Sequence, residues 1–173
     1  WSSDVCSSDL GHKYMFWGSF RGIWAIELAD DGLSLKPGAG KRKIAGDQYE
    51  GTYIHKRDGY YYLIVSTGDF MKDYHVVVGR SRSLMGPYVD RAGRDMLGVH
   101  HELVVGNGNG FVAPGHNAEF ITDDKGQDWM LYHTRLEVGG PRYLLLDRIE
   151  WNDGWPEVRG HVPARSAEAP VFE

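Results

Sequence analysis

The segment 49–80 carries the clearest fold signal in this 173-residue chain. It contains Tyr49-Glu50-Gly51-Thr52-Tyr53-Ile54, a turn at Arg57-Asp58-Gly59, then Tyr60-Tyr61-Tyr62-Leu63-Ile64-Val65, and finally Tyr74-His75-Val76-Val77-Val78-Gly79-Arg80. Aromatic and β-branched residues fill the three runs, and a polar turn with glycine separates the first two. The segment therefore predicts three consecutive strands, closed by a turn at Met85-Gly86-Pro87.

The same pattern recurs on both sides of this segment. Downstream stand Pro114-Gly115-His116-Asn117-Ala118-Glu119-Phe120-Ile121, a turn at Asp124-Lys125-Gly126, and the runs 129–133 and 143–149. The upstream copy retains only the runs 13–18 and 23–28 and a turn at Asp30-Asp31-Gly32, so its opening strand is expected to be absent. No long stretch has helical periodicity. Small sheets that repeat along a chain predict an all-β fold of the β-propeller type.

The charge and hydropathy of the chain limit the classes of partner that it is expected to bind. A formal net charge of −5 argues against a nucleic-acid partner, and no apolar run is long enough to span a bilayer.

Residues 1–10 fit neither a strand nor a helix pattern, and we interpret them as the translation of a sequencing adapter, so Cys6 carries no redox inference. Residues 11–158 are predicted to form a partial propeller, and 159–173 a C-terminal tail.

Glu50 and His116 hold the same place in their two copies, 66 positions apart in the sequence. Polar residues that begin successive innermost strands of a propeller converge near its axis. A carboxyl group partly sheltered beside an aromatic neighbour such as Tyr49 or Tyr53 has a raised pKa and can act as a general acid. The alternatives are a glutamate that accepts hydrogen bonds from its own blade and a histidine with a structural role.

Other chemistries have weaker support in the sequence. It contains no CxxC pair, HExxH motif or EF-hand loop, and Ser19 and Ser66 lie at strand ends rather than on a nucleophile elbow. Several aromatic side chains have the chemistry to stack on sugar rings, although we expect most of them to pack between blades; they are Trp17, Phe20, Trp24, Tyr53, Phe70 and Tyr74.

Four motifs in order resemble those of glycoside hydrolase family 43, and within it the arabinan endo-1,5-α-L-arabinosidases. They are Phe16-Trp17-Gly18-Ser19-Phe20-Arg21-Gly22-Ile23, Glu50-Gly51-Thr52-Tyr53-Ile54, Val78-Gly79-Arg80-Ser81 with Gly86-Pro87-Tyr88, and Pro114-Gly115-His116-Asn117. The resemblance covers residues from about 11 to about 158. It implies a five-bladed β-propeller, of which this chain is an N-terminally truncated piece of roughly two and a half to three blades.

The resemblance also implies an inverting mechanism, in which one carboxylic acid protonates the leaving oxygen and a second carboxylate activates water about 6.5–9.5 Å away. Glu50 corresponds to the general acid, while the base and an aspartate that tunes the acid are expected upstream of Gly11. Ser19, Phe20, Tyr53 and His116 are expected to contact the substrate. His116 also corresponds to an axial histidine near a central ion, often calcium, that is reached largely through water.

The resemblance implies a polysaccharide substrate and a secreted or periplasmic parent protein, and it implies that the fragment is inactive alone. Two alternatives stay open at this point. Residues 66–73 lack the cysteine pair associated with many arabinanases, which leaves β-xylosidase and α-L-arabinofuranosidase activities of the same family. The second alternative is a non-catalytic carbohydrate-binding propeller, in which Glu50 only hydrogen-bonds a sugar.

Overall fold

A computed structural model of the chain describes residues 5–9, as backbone only, and 11–173 in full. These residues form fourteen strands and one 3-10 turn, Arg159–His161. The strands are β1 Val5–Asp9, β2 His12–Trp17, β3 Ile23–Leu28, β4 Arg42–Ala45, β5 Glu50–Arg57, β6 Tyr60–Thr67, β7 His75–Ser81, β8 Glu102–Val105, β9 Val112–Gly115, β10 Phe120–Thr122, β11 Asp128–Arg135, β12 Tyr143–Arg148, β13 Glu150–Asn152 and β14 Trp155–Glu157. The all-β prediction is confirmed.

The chain divides into two compact units, Trp1–Val65 with Gly79–Glu102 and Ser66–Val78 with Leu103–Glu173. The first unit contains the sheet β1-β2-β3-β4, and the second contains β10-β11-β12, with β9 also paired to β11, and the hairpin β13-β14. A further sheet has the order β5-β6-β7-β8. Each copy of the repeat therefore forms its own small sheet, as the sequence predicts.

The first copy is more complete than its sequence indicates. Val5–Asp9 forms β1, which pairs antiparallel with β2 in a register from Val5↔Phe16 to Asp9↔His12. The expectations of an absent opening strand and of no strand within residues 1–10 are therefore wrong. Backbone N–H and C=O groups along the edge of β2 accept a partner strand whatever its side chains are. The adapter origin stays a prediction, and residues 1–4 and 10 lie outside the described residues.

The opening strand of the third copy is interrupted. The predicted run 114–121 is divided into β9 and β10, which both pair with β11. Ala113 and His116 adopt left-handed φ values of 52°, and the β9–β11 register shifts between His133 and Arg135. The left-handed His116 directly follows β9 and ends it, so the prediction of one unbroken strand is wrong.

Residues 159–173, predicted as a tail, are docked on the second unit. The Asn109 side chain donates to the Pro163 carbonyl at 2.9 Å, and the backbone N–H of Gly106 donates to the His161 carbonyl at 2.8 Å. Farther along, the N–H of Asp124 donates to the Val171 carbonyl at 3.0 Å, and the Val171 N–H donates to Asp123 Oδ2 at 3.4 Å. The segment therefore contributes to the unit. Among the described residues no helix has the length and apolar character needed to cross a membrane.

The carboxylate of Asp123 makes this docking sensitive to pH. Burial alone would raise its pKa, but N–H donors from Gln127, the Trp129 indole and Val171 outweigh that effect, and the pKa lies below its ordinary value of 3.8. A lowered folded-state pKa means that the stabilisation is present above 3.8 and is lost as pH falls through the folded value.

We expect the Val171 amide to lose protection from hydrogen exchange as the pH falls below 3.8, after correction for intrinsic rates. Asp123→Asn should abolish this pH dependence, because the amide does not titrate. Exchange measured between pH 2 and pH 6 by mass spectrometry tests the prediction. Constant protection of Val171 across that interval would contradict it.

Candidate active site

Glu50 is the first residue of β5, and its carboxylate is held by the loop that follows β2. The Ser19 hydroxyl donates to Glu50 Oε2 at 2.9 Å, and the two residues also form an isolated antiparallel bridge. Gly51 follows with a left-handed φ of 66°, a conformation found at β-bulges that re-aim neighbouring side chains. The structure thus brings together Ser19 and Glu50, two of the residues singled out in the sequence.

The loop 18–22 is shaped by residues with left-handed backbone. A Cβ on Gly18, whose φ is +147°, would lie 2.1 Å from the Gly22 carbonyl oxygen, so this position requires glycine. Phe20 has a φ of 49°, and its N–H donates to the Tyr49 carbonyl at 2.9 Å. Its side chain is 40% exposed. This backbone leaves Phe20 accessible beside the Ser19–Glu50 pair, as a sugar-stacking residue requires.

Tyr49 anchors the backbone directly before Glu50. Its side chain is fully buried, and its hydroxyl lies 2.8 Å from His101 Nδ1, with the two rings edge to face. Burial raises the pKa of Tyr49 to about 12, against a smaller opposing effect from Gln48. The tyrosine therefore stays neutral and anchors the start of β5. Tyr53, three residues beyond Glu50 on β5, is half-buried, and its predicted contact with substrate stays a prediction.

His116 belongs to the second unit and lies in the interruption between β9 and β10. Its backbone N–H donates to the Ser66 hydroxyl at 2.8 Å. Its imidazole stacks on His133, with centroids 6.4 Å apart and an interplanar angle of 17°, and His133 stacks on Tyr74 at 5.8 Å and 13°. These three rings, the Tyr74–His133–His116 stack, orient the His116 imidazole from one side.

The residues on either side of His116 constrain it further. A Cβ on Gly115 would lie 2.1 Å from Tyr74 Cδ1, so only glycine allows β9 to approach the stack. Asn117 is buried, and its Nδ2 donates to the Ala118 carbonyl at 3.0 Å. Its Oδ1 has no hydrogen-bond partner in the part of the chain that the structure describes.

His133 is the member of the Tyr74–His133–His116 stack that sequence reasoning missed. It ends the second run of the third copy, and its backbone pairs with Gly115 in the register of β11 and β9. The available signal was its place at the end of a strand next to the predicted axial strand. Strand alignment alone gives no reason to expect a stacked ring there, because the stack depends on the left-handed turn at His116.

The calcium ion predicted near His116 is not tested by the acidic and histidine side chains of the described residues. They contain no group of three or more His, Cys, Asp or Glu side chains placed to hold a metal ion. Calcium prefers six to eight oxygen ligands, and His116 offers only ring nitrogens. The predicted central ion, held largely through water, therefore stays a prediction, and no chemical step is assigned to it here.

Repeated small antiparallel sheets, with a positioned carboxylate at the first residue of a strand, are typical of β-propeller glycosidases. The sequence profile described as "Glycosyl hydrolases family 43" matches residues 4–156. The chain belongs to this family. The predicted family and fold class, part of a five-bladed β-propeller, are confirmed.

Individual relatives share this fold and much of the sequence. An extracellular exo-α-(1→5)-L-arabinofuranosidase from Cellvibrio japonicus is 29% identical over 89% of this chain and 50% of its own length. An extracellular endo-α-(1→5)-L-arabinanase from Thermotoga petrophila is 33% identical over 84% of the chain and 38% of its own length. A solved Cellvibrio cellulosa α-L-arabinanase, in complex with arabinohexaose, has a TM-score of 0.81 and 29% identity over 90% of this chain and 56% of that one. The chain thus spans about half the length of such relatives or less.

Proposed function

We propose that this chain supplies part of the catalytic domain of an inverting glycosidase that cleaves α-1,5-linked arabinan, with Glu50 as its general acid. The observation that carries the proposal is the Glu50 carboxyl at the start of β5, fixed by the Ser19 hydroxyl at 2.9 Å. The names of the two curated relatives specify α-(1→5)-linked L-arabinose, and the solved Cellvibrio arabinanase holds arabinohexaose. Since both curated relatives are named extracellular, we also propose a secreted parent protein.

The proposed reaction uses two carboxyl groups, one as general acid and one as general base. Glu50 donates its proton to the glycosidic oxygen as the bond to the anomeric carbon breaks, and the departing sugar leaves as an alcohol. Water attacks the opposite face while a base carboxylate accepts its proton, so the anomeric configuration inverts. We assign this base to the part of the relatives' length that the chain does not span.

Ser19, Phe20, Tyr53 and His116 are the proposed substrate contacts. Ser19 also fixes the Glu50 carboxyl in one direction, and Phe20 offers an accessible aromatic face to a sugar ring. His116 is held from behind by His133 and Tyr74, which leaves its imidazole edge to hydrogen-bond a hydroxyl or a water molecule. An imidazole in this role acts as a positioned donor or acceptor.

The test uses the full-length protein, meaning the complete product of the gene that encodes this chain. We expect hydrolysis of α-1,5-arabino-oligosaccharides, with the β-anomer as the first product seen by proton NMR, because inversion converts an α linkage into a β product. The 173-residue chain alone is the negative control and is expected to be inactive. It lacks the proposed base, and open sheet edges favour association.

Each other outcome supports a different function. Initial release of the α-anomer would contradict inversion. Preferential cleavage of xylo-oligosaccharides would favour the β-xylosidase alternative, and release of only single arabinose units would favour the exo-acting arabinofuranosidase. Binding of arabino-oligosaccharides without hydrolysis would favour the carbohydrate-binding propeller.

A further inference from the structure

A cleft lined by arginine lies in the first unit at the opposite end of β5 from Glu50. Its volume is about 430 Å³, and its lining includes Tyr60, Arg80, Arg82, Arg91 and Pro87. We call it the arginine cleft. The eight residues of β5 separate Glu50 from the turn that precedes Tyr60, which corresponds to about 25 Å of strand. The cleft is therefore remote from the Ser19–Glu50 pair.

Tyr60 and two guanidinium groups form the wall of this cleft. The Cζ atom of Arg82 lies 3.6 Å from the centroid of the Tyr60 ring, and that of Arg80 lies 4.4 Å from it. Arg82 also donates through Nη1 to the Gly59 carbonyl at 3.3 Å. Arg80 also hydrogen-bonds the Tyr62 side chain. Stacking on an aromatic ring fixes the plane of a guanidinium group, and so the directions of its in-plane N–H donors. Such donors match the two oxygens of a carboxylate.

The charge of the cleft is positive although the chain as a whole carries −5. Three arginines, Arg80, Arg82 and Arg91, face one carboxylate, Asp90, in the lining. Asp90 is buried. Its carboxylate accepts hydrogen bonds from Nε of Arg94 at 2.7 Å and from the backbone N–H groups of Ala92 and Arg94 at 2.9 and 2.8 Å. Because Arg94 neutralises Asp90, that carboxylate does little to offset the lining arginines. Arg91 is paired with Glu102, whose Oε2 lies 3.6 Å from its Nε, so Arg80 and Arg82 account for the excess positive charge of the cleft.

The shape and lining favour a sugar over a small inorganic anion. A volume of 430 Å³ falls within the range of about 300–1,000 Å³ that is common for sites of organic ligands. Pro87 and Val89 add apolar surface beside the ring of Tyr60, and a pyranose ring needs such a surface as well as donors for its substituents. We propose that the arginine cleft binds a carboxylate-bearing oligosaccharide, a uronate segment of an acidic polysaccharide, and so anchors the protein on that polymer.

The experiment titrates the full-length protein with α-1,4-linked oligogalacturonate by calorimetry. We expect binding at low salt that weakens steadily as ionic strength rises. Arg82→Gln should weaken it by about ten-fold, the loss of one hydrogen bond to a charged group. Arg82→Lys keeps the charge without the planar guanidinium group, so its affinity should lie between those of the unmodified protein and Arg82→Gln. Arg42→Gln, which removes an exposed arginine on β4, is the matched control and should bind like the unmodified protein.

The outcomes separate this proposal from the function of Glu50. Arg82→Gln should melt at the same temperature as the unmodified protein and hydrolyse arabino-oligosaccharides at the same rate, since Arg82 is exposed and remote from Glu50. Three results would overturn the proposal: no binding of oligogalacturonate at low salt, equal affinity in Arg82→Gln, or equally effective displacement by inorganic phosphate. Neutral arabino-oligosaccharide should not displace the ligand, and displacement by it would also count against the site.

Discussion

Glu50→Gln in the full-length protein is expected to lower turnover of α-1,5-linked arabinan by about 10²–10⁴-fold, the usual contribution of general acid catalysis. The amide cannot donate the proton that the departing sugar needs. Its oxygen can still accept the 2.9 Å hydrogen bond from Ser19, so the start of β5 should keep its structure. Initial rates of reducing-end release from linear arabinan measure the effect.

The matched control is Glu27→Gln, which also converts a carboxylate to an amide on a strand of the first unit. Glu27 pairs with Lys36 and His12 at the surface, and exposed pairs of this kind contribute little. Its variant should retain the activity of the unmodified protein. Arabinan turnover in Glu50→Gln within about three-fold of that in Glu27→Gln would refute Glu50 as the acid, because even a modest general acid contributes about 10²-fold.

Gly115→Ala is expected to destabilise the protein by about 3 kcal/mol, at the upper end of the usual cost of overpacking. The added methyl group would lie 2.1 Å from Cδ1 and 2.3 Å from Cε1 of Tyr74. Tyr74 is buried and stacked on His133, so its ring has no room to withdraw without disrupting the Tyr74–His133–His116 stack. Urea unfolding followed by tryptophan fluorescence measures the change.

Gly40→Ala serves as the control for this substitution. A Cβ at position 40 meets no atom within 4 Å, so the same chemical change should leave the free energy of unfolding nearly constant. Ordinary surface substitutions change the free energy of unfolding by up to about 0.5 kcal/mol. If the free energies of unfolding of Gly115→Ala and Gly40→Ala differ by no more than that, the close packing of β9 against Tyr74 is wrong.

Local pattern was sufficient to predict the long strands in the middle of each copy of the repeat. Runs of aromatic and β-branched residues separated by Asp58-Gly59 and Lys125-Gly126 turns correspond to β5, β6, β7, β11 and β12. These turns are readable because glycine adopts the left-handed conformation that a tight turn needs, with φ values of 75° at Gly59 and 77° at Gly126. The position of Glu50 at a strand start followed directly from this reading.

Features that depend on tertiary pairing were harder to predict. β1 forms by backbone pairing along the edge of β2, which leaves no signature in side-chain pattern. The left-handed residue His116 divides an otherwise strand-like run, and its residue type alone is only a weak signal for that conformation. The docking of residues 159–173 depends on single hydrogen bonds to Asn109 and Asp123, which hydropathy does not reveal.

The candidate site also depends on contacts between residues that are distant in sequence, and these were harder to predict. Ser19 and Glu50 are 31 residues apart, and their contact follows from the path of the loop after β2 rather than from either motif alone. The arginine cleft was not predicted because it combines Tyr60 with the stretch 80–93, about twenty residues further along the chain. Arginines at positions 80, 82 and 91 resemble ordinary solvated charges until Tyr60 is seen beneath two of them.

The central claim is that Glu50 donates a proton to the leaving group, and its most direct test is the dependence of rate on leaving-group acidity. The measurement compares kcat/KM of the unmodified protein and Glu50→Gln over a series of aryl α-L-arabinofuranosides. For the unmodified protein we predict a shallow dependence, since Glu50 assists poor leaving groups. For Glu50→Gln we predict a steep one, with near-normal rates only for the most acidic phenols. Parallel dependences in the two proteins would contradict the assignment of Glu50 as the general acid.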